Sequence, residues 1–249
     1  MDKTLEQRIR RRLGRAIAQY GLIDDGDRVL VGLSGGKDSL CLLEMLAKRS
    51  RIHKPRFTVE ALHVRMTNVD YESDTTYLQD FCDGLGVRLH VVTTCFDAQR
   101  PTLSSSHSPL TKRKPPCFLC SWQRRKQLFT VAQQGGFNKI ALGHHQDDII
   151  NTALMNLTFQ GQFATMPAFL RFRKMPLAII RPLCLVEEAD ISSYAEQQDY
   201  RRQLKRCPHE HETNRTAIKG LFAQMQTLHA DARQSVWNAL ESAGKLVEY

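Results

Sequence analysis

Ser34-Gly35-Gly36-Lys37-Asp38-Ser39 stands between two apolar patterns. Before it, Arg28–Gly32 reads as a short buried strand. After it, Leu40, Leu42, Leu43, Met45 and Leu46 fall at helical spacing over residues 39–48. Strand, glycine turn and helix in that order make a phosphate site on physical grounds. The glycines let the backbone approach an anion, and the free amides and positive dipole end of the helix attract it. The spacing is not that of a Walker loop, which needs four residues between Gly and Gly-Lys-Ser/Thr, nor of a Gly-x-Gly-x-x-Gly dinucleotide loop.

Outward from this loop, residues 57–65 and 87–93 alternate like strands. Thr75–Leu85 has a helical pattern, and 139–143 and 177–181 are short and apolar around a helical stretch at 147–159. Such alternation predicts an α/β fold, a doubly wound parallel sheet with helices on both faces and its site at the carboxyl ends of the strands. Helical extensions are expected at both ends. Leu5, Ile9, Leu13, Ala16, Ile17 and Tyr20 form the apolar side of a first helix whose polar side carries Arg8, Arg10, Arg11, Arg12 and Arg15, and residues 218–225 and 236–246 suggest one or two terminal helices. Residues 97–116 and 198–214 break the rhythm as polar loops. The expected division is a basic N-terminal helix (1–25), a nucleotide-binding α/β domain (26–197) and a C-terminal part (198–249).

The 249 residues carry 35 Lys+Arg against 26 Asp+Glu, a formal charge of +9, and are 42% hydrophobic. This is globular composition with a preference for an anionic partner, nucleic acid being the commonest. No apolar run approaches the roughly 20 residues that span a bilayer, and the N-terminus leads into arginines, so the expectation is a cytoplasmic protein with no membrane contact. Seven cysteines in a reducing compartment read as free thiols, ligands or redox groups.

Three further stretches carry chemistry. Gly143-His144-His145-Gln146-Asp147-Asp148 starts the helix after the 139–143 strand. Its imidazoles and carboxylates can bind a metal or move protons, while Asp147 or Gln146 can instead cap the helix. Cys117-Phe118-Leu119-Cys120 opens a helix holding Arg124, Arg125 and Lys126, where helix start and cations favour thiolate. Cys41, Cys82 and Cys184 sit in apolar or helical patterns and read as packing thiols, whereas Cys207, in a polar loop with His209 and His211, is placed like a ligand. Zinc on Cys117, Cys120, Cys207 and a histidine, an iron–sulfur cluster on the three cysteines with one iron open, and a Cys117/Cys120 redox pair relaying a persulfide all fit these residues.

The glycine loop is identical to the Ser-Gly-Gly-x-Asp-Ser signature of the ATP pyrophosphatase (PP-loop) superfamily. That resemblance implies that Ser34, Gly35, Gly36, Lys37, Asp38 and Ser39 hold the pyrophosphate part of ATP, with Lys37 neutralising charge, the serines donating hydroxyls and Asp38 a partner of Mg2+. It also implies that the second strand, near Leu62, His63 and Val64, faces the adenine. Together with Cys117-x-x-Cys120, the stretch from Lys139 to Asp148, Met166-Pro167, Ile180-Arg181-Pro182-Leu183 and Cys207, the chain from about residue 28 to 215 resembles the tRNA 2-thiocytidine synthetase (TtcA) family. The resemblance implies Gly143, His144 and Asp148 at the nucleotide site and a 4Fe-4S cluster on Cys117, Cys120 and Cys207. It further implies ATP-dependent adenylation of the C2 oxygen of an anticodon-loop cytidine, position 32, followed by replacement of that oxygen with sulfur. Cys117 and Cys120 are then catalytic together with Lys37, Asp38 and Asp148, and Cys207 is a ligand.

The family usually carries a second Cys-x-x-Cys where this chain has Cys207-Pro208-His209-Glu210, so the tRNA and base are less firmly implied than the chemistry, and the neighbouring histidines keep zinc open. tRNA is the expected partner, through the arginines of the first helix, Lys112, Arg113, Lys114, Arg124 and Arg125, with Trp122 a candidate to stack on a base. The sulfur donor is expected to be a cysteine desulfurase or inorganic sulfide, and a homodimer is a family-based expectation. The rival readings are a uridine thiolase or lysidine synthetase of the same superfamily, and a nucleotide- or RNA-binding protein without turnover.

Overall fold

The structure, a computed structural model, describes residues 3–67, 74–95, 116–201 and 214–249. Lys112, Arg113, Lys114, Cys207, His209, Glu210 and His211 lie outside these residues, as does the side chain of Cys117.

Eight helices and seven strands follow one another along the described residues, alternating as far as β5: α1 (Lys3–Tyr20), β1 (Arg28–Gly32), α2 (Lys37–Ser50), β2 (Thr58–Met66), α3 (Thr75–Leu85), β3 (Leu89–Thr94), α4 (Pro116–Gln134), β4 (Lys139–Ala141), α5 (Gln146–Gln160), β5 (Phe169–Arg171), β6 (Ala178–Ile180), α6 (Glu188–Gln197), α7 (Asn214–Leu228), α8 (Ala232–Ser242) and β7 (Val247–Glu248). The strands form one sheet in the order β3-β2-β1-β4-β6-β5-β7. The pairs from β3 to β6 are parallel, and β5 runs antiparallel to β6. From β1 the chain winds outward through β2 to β3, then returns to place β4 on the other side of β1. The β1–β4 junction is therefore the topological switch point, the crevice where ligands of open α/β sheets bind.

The period of two along each strand divides the core. Val29, Val31, Ala61, Ala141 and Ile180 face one cluster with α1, α2, α3, α5, α6 and α8. Leu30, Leu62, Ile140 and Ile179 face the other, smaller cluster, covered by Ala132, Leu128 and Phe129 of α4. Both faces are thus buried, as the near-continuous apolar strands require. α1 buries Leu5, Ile9, Leu13, Ala16, Ile17 and Tyr20, as its pattern predicts. Its arginine side meets protein as well as solvent. Arg8 reaches Asp190 at 2.6 Å, and Arg12 reaches Glu187 at 2.8 Å and Asp190 at 3.0 Å. These two guanidiniums bind the acidic start of α6, so the phosphate contacts expected of the α1 arginines are not all available.

The largest differences from the sequence expectations are additions. α6, β5 and β7 carry no pattern long enough to announce them; the expected C-terminal helices are two, α7 and α8, and a short edge strand follows them. α2 begins at Lys37 instead of Ser39, because Gly36 is the N-cap and the charged pair already has helical geometry. Among the described residues no helix is long and apolar enough to cross a membrane.

Candidate nucleotide site at the switch point

The loop after β1 owes its shape to its own small residues. Gly35 takes a φ of +80°, a left-handed conformation costly for any residue with a Cβ. The two serines close the turn. Their hydroxyl oxygens are 3.0 Å apart, the Ser39 hydroxyl donates to Gly36 O at 2.9 Å, and Gly36 N donates to Ser34 Oγ at 3.3 Å. Ser39 is buried and its hydroxyl acts on the loop itself. At the start of α2 the Ser39 amide already donates to Gly36 O at 3.0 Å, which leaves the amides of Lys37 and Asp38 as the ones without an intrahelical acceptor.

β4 delivers the second loop beside the first. A Cβ built on Gly143 would come within 3.0 Å of the backbone C and O of Asp38 and the N of Ser39. Only glycine lets the two loops touch at this point. Two residues on, His145 is buried at the N-cap of α5. Its Nε2 is 3.4 Å from Asp148 Oδ2 and 3.9 Å from Asp38 Oδ1, and its Nδ1 is 3.7 Å from Asp147 Oδ2 and has no hydrogen-bond partner among the described residues. One imidazole thus stands among three carboxylates. Asp148 accepts from the His145 amide at 3.3 Å, so it caps α5 while facing the site. Asp147 instead accepts from the amide of Glu188 at 2.7 Å and caps α6, a role its sequence neighbours do not reveal.

Charge in the site is balanced by helices distant in sequence. Lys37 Nζ is 2.8 Å from Asp38 and 3.4 Å from Glu188; Lys219 of α7 meets Glu188 at 2.8 Å, Arg233 of α8 meets Asp147 at 2.8 Å, and Arg215 of α7 lies 3.8 Å from Asp148. Burial lowers the pKa of the Lys37 ammonium, but Asp38 and then Glu188 outweigh burial and hold it above its ordinary value. Burial likewise raises Asp147 and Glu188, and their cationic partners reverse this, so both stay ionised below the usual carboxylate range. His144 behaves oppositely. Burial, then the Arg181 charge, pulls it to about 4, leaving a neutral ring whose Nδ1 accepts from Arg181 Nε at 3.3 Å.

His63 is buried beneath the loop, its Nδ1–H donating to Leu33 O at 2.7 Å, and burial lowers its pKa, so it acts as a neutral brace where β1 enters the loop. Above it opens a cavity of about 150 Å³ lined by Gly32, Leu33, Ser34, Leu62, Val64, Leu142 and, from α4, Arg124 and Leu128. Its apolar walls and the adjoining amides suit a flat heterocycle joined to phosphates. The site therefore gathers the expected Ser34–Ser39 loop, Gly143, His144 and Asp148. His145, Arg181, Glu188, Arg215, Lys219 and Arg233 join them without having been singled out; of these, His145 and Arg181 stood inside quoted motifs.

The thiols separate by burial. Cys41, Cys82 and Cys184 are fully buried, and burial pushes their pKa values up, Cys82 to about 12. They are inert packing groups. Cys120 is half-buried at the first turn of α4, Cys95 is exposed at the end of β3, and Cys117 precedes Cys120 by three residues on the same helix. Among the described residues no three His, Cys, Asp or Glu side chains are grouped to hold a metal ion. Of the three cysteines expected as cluster ligands, Cys117 and Cys120 share the first turns of α4 and Cys207 lies outside the described residues.

The close approach at Gly143 predicts that Gly143→Ala forces β4 and α2 apart, costing about 1–3 kcal/mol in urea unfolding and lowering ATP affinity in calorimetry; unchanged affinity would show that the contact does not shape the site.

The PP-loop domain family matches residues 5–219. A tRNA-cytidine(32) 2-sulfurtransferase of Pseudomonas putida (strain W619) is 32% identical over 96% of this chain and 84% of its own, and one of Saccharophagus degradans is 33% identical over 98% and 77%. Among solved structures, the U34-tRNA thiolase NcsA from Methanococcus maripaludis, with its [4Fe-4S] cluster, superposes with a TM-score of 0.73 over 96% of this chain and 78% of that one, at 22% identity, which speaks for the shared fold. With glycine loop, switch-point crevice and near-full-length similarity in agreement, the chain belongs to the PP-loop tRNA-cytidine(32) 2-sulfurtransferase family.

Proposed function

We propose that the protein is an ATP-dependent tRNA thiolase that adenylates the C2 oxygen of the anticodon-loop cytidine at position 32 and exchanges that oxygen for sulfur. The observation that carries this reading is the van der Waals contact of the Ser34–Ser39 loop with the Gly143–Asp148 loop beside an apolar cavity. One end of that arrangement suits adenine, the other pyrophosphate. The relatives' activity supplies the base and position.

In this mechanism the α2 amides and Lys37 hold the β- and γ-phosphates, and Lys37 exchanges its contacts with Asp38 and Glu188 for phosphate oxygens. Asp38 and Asp148, 3.9 Å and 3.4 Å from the same nitrogen of His145, Nε2, are hard oxygen donors suited to Mg2+, which would offset charge released with pyrophosphate. The cytidine C2 oxygen attacks the α-phosphorus, the bond to the bridging oxygen breaks, and pyrophosphate leaves. Oxygen that leaves poorly has become the oxygen of an AMP ester. A sulfur nucleophile then adds at C2 and the C2–O bond breaks, AMP carrying the oxygen away. A 4Fe-4S cluster on Cys117, Cys120 and Cys207 would supply an open iron position for sulfur; the thiol inventory fits, since the deeply buried cysteines are held protonated. The sulfur donor is a desulfurase or sulfide, and the assembly a homodimer.

Mixing protein, ATP, Mg2+, tRNA and a sulfur source is expected to yield pyrophosphate and AMP together, and Lys37→Ala to lower that yield by about 10²–10³-fold. Undiminished AMP formation by the variant, or none from iron-loaded wild type, would contradict the mechanism. Anaerobically purified wild type is expected to hold iron and sulfide that Cys207→Ala loses; zinc alone, or iron indifferent to Cys207, would remove the cluster.

A further inference from the structure

α4 has two working faces. Arg124 and Leu128 point into the nucleotide cavity, with Cys120 one turn earlier on the same side. About half a helical turn away, Phe118, Trp122 and Phe129 recur at four and seven residues, the spacing of a single stripe. The lower end of this stripe is covered. Phe172, at the end of β5, meets Phe129 edge to face with ring centroids 5.1 Å apart. The upper end is open: Trp122 is 51% exposed and Phe118 42%.

An exposed aromatic pair alone names no occupant, but the charge around it does. Lys126 Nζ sits 5.6 Å from the centroid of the Trp122 ring, and Arg125 is one turn from Trp122. The turn between β5 and β6, which the Phe129–Phe172 contact places alongside α4, adds the exposed Arg173 and Lys174. None of these four cations forms a salt bridge among the described residues, whereas Arg8 and Arg12 of α1 are bound to carboxylates. Stacking rings bordered by uncompensated cations match unpaired nucleic acid, whose bases offer π faces and whose phosphates offer charge. A protein partner would want the rings without so much unpaired positive charge.

We infer that the outer face of α4 is a stacking platform on which Trp122 holds an unpaired base of the RNA substrate, while Arg125, Lys126, Arg173 and Lys174 hold its phosphates. The inference rests on the tRNA thiolase reading and deepens it. The platform and the cavity are separated by one helix, about 10 Å across. A base stacked outside is therefore a neighbour of the one presented inside, and this positions an anticodon loop with one nucleotide drawn in.

Trp122 is exposed and Trp237, the second tryptophan, is 3% exposed, so intrinsic fluorescence reports on the platform. An anticodon stem-loop RNA is expected to quench the emission saturably, and a duplex of equal length is not. Trp122→Ala should weaken stem-loop binding, read by anisotropy of labelled RNA, by about tenfold or more, and Trp122→Tyr should restore most of it, both variants keeping the far-ultraviolet dichroism of wild type. Stem-loop binding without quenching, equal quenching by the duplex, quenching that follows protein concentration instead of RNA, or unaltered affinity of Trp122→Ala would each overturn the platform and leave the thiolase reading intact. Failure of wild type to bind any RNA would overturn both.

Discussion

The approach of the Gly143 backbone to the first turn of α2 is the constraint on which the site depends. The sheet places β1 and β4 side by side, Val31 opposite Ala141, but pairing alone leaves the loops beyond them free to diverge. A residue without a side chain after β4 removes the obstacle. Asp148 and Asp38 then stand within 4 Å of one His145 nitrogen, joining the loop after β4 to the turn that follows β1. The same contact accounts for the shape of the crevice: loops on either side, β2 at the back and α4 as a lid over the apolar end.

Around this contact the protein stores alternating charge. Lys37, Glu188 and Lys219 form a chain of contacts, as do Asp147, Arg233 and Glu187. Each carboxylate near the loop is matched by a cation, three of them from α7 and α8. The C-terminal helices thereby close one side of the site in addition to completing the core through Phe222, Trp237 and Leu240. A triphosphate entering the crevice would compete with Asp38 and Glu188 for Lys37. The arrangement keeps the lysine charged and oriented before the anion arrives, a form of preorganisation.

Strong local signals were legible in the sequence. β1, the glycine turn and α2 follow from the apolar run, two glycines and the leucine spacing. α3 has its predicted bounds, Thr75 to Leu85, because Asp74 caps its start, accepting from the Tyr77 amide at 2.9 Å, and Gly86 ends it with a φ of +66°. Three-residue β5, two-residue β7 and weakly patterned α6 were not legible, since pairing across the sheet defines them. The same holds for the roles of individual groups. Asp147 looks like a cap for its own helix, yet caps one 41 residues away. Arg8 and Arg12 look like a free basic stripe, yet lie against acids nearly 180 positions away. The loop residues gathered at the crevice were legible by resemblance, and the partners that set their charge were not.

Transfer of AMP in the crevice onto an oxygen of the RNA makes that oxygen depart with AMP. It is tested most directly with tRNA carrying ¹⁸O at C2 of cytidine 32, incubated with reconstituted protein, ATP and a sulfur source, followed by mass spectrometry of the released AMP. The released AMP is expected to carry ¹⁸O, one atom for each 2-thiocytidine formed. AMP without the label, alongside thiolated tRNA, would contradict it.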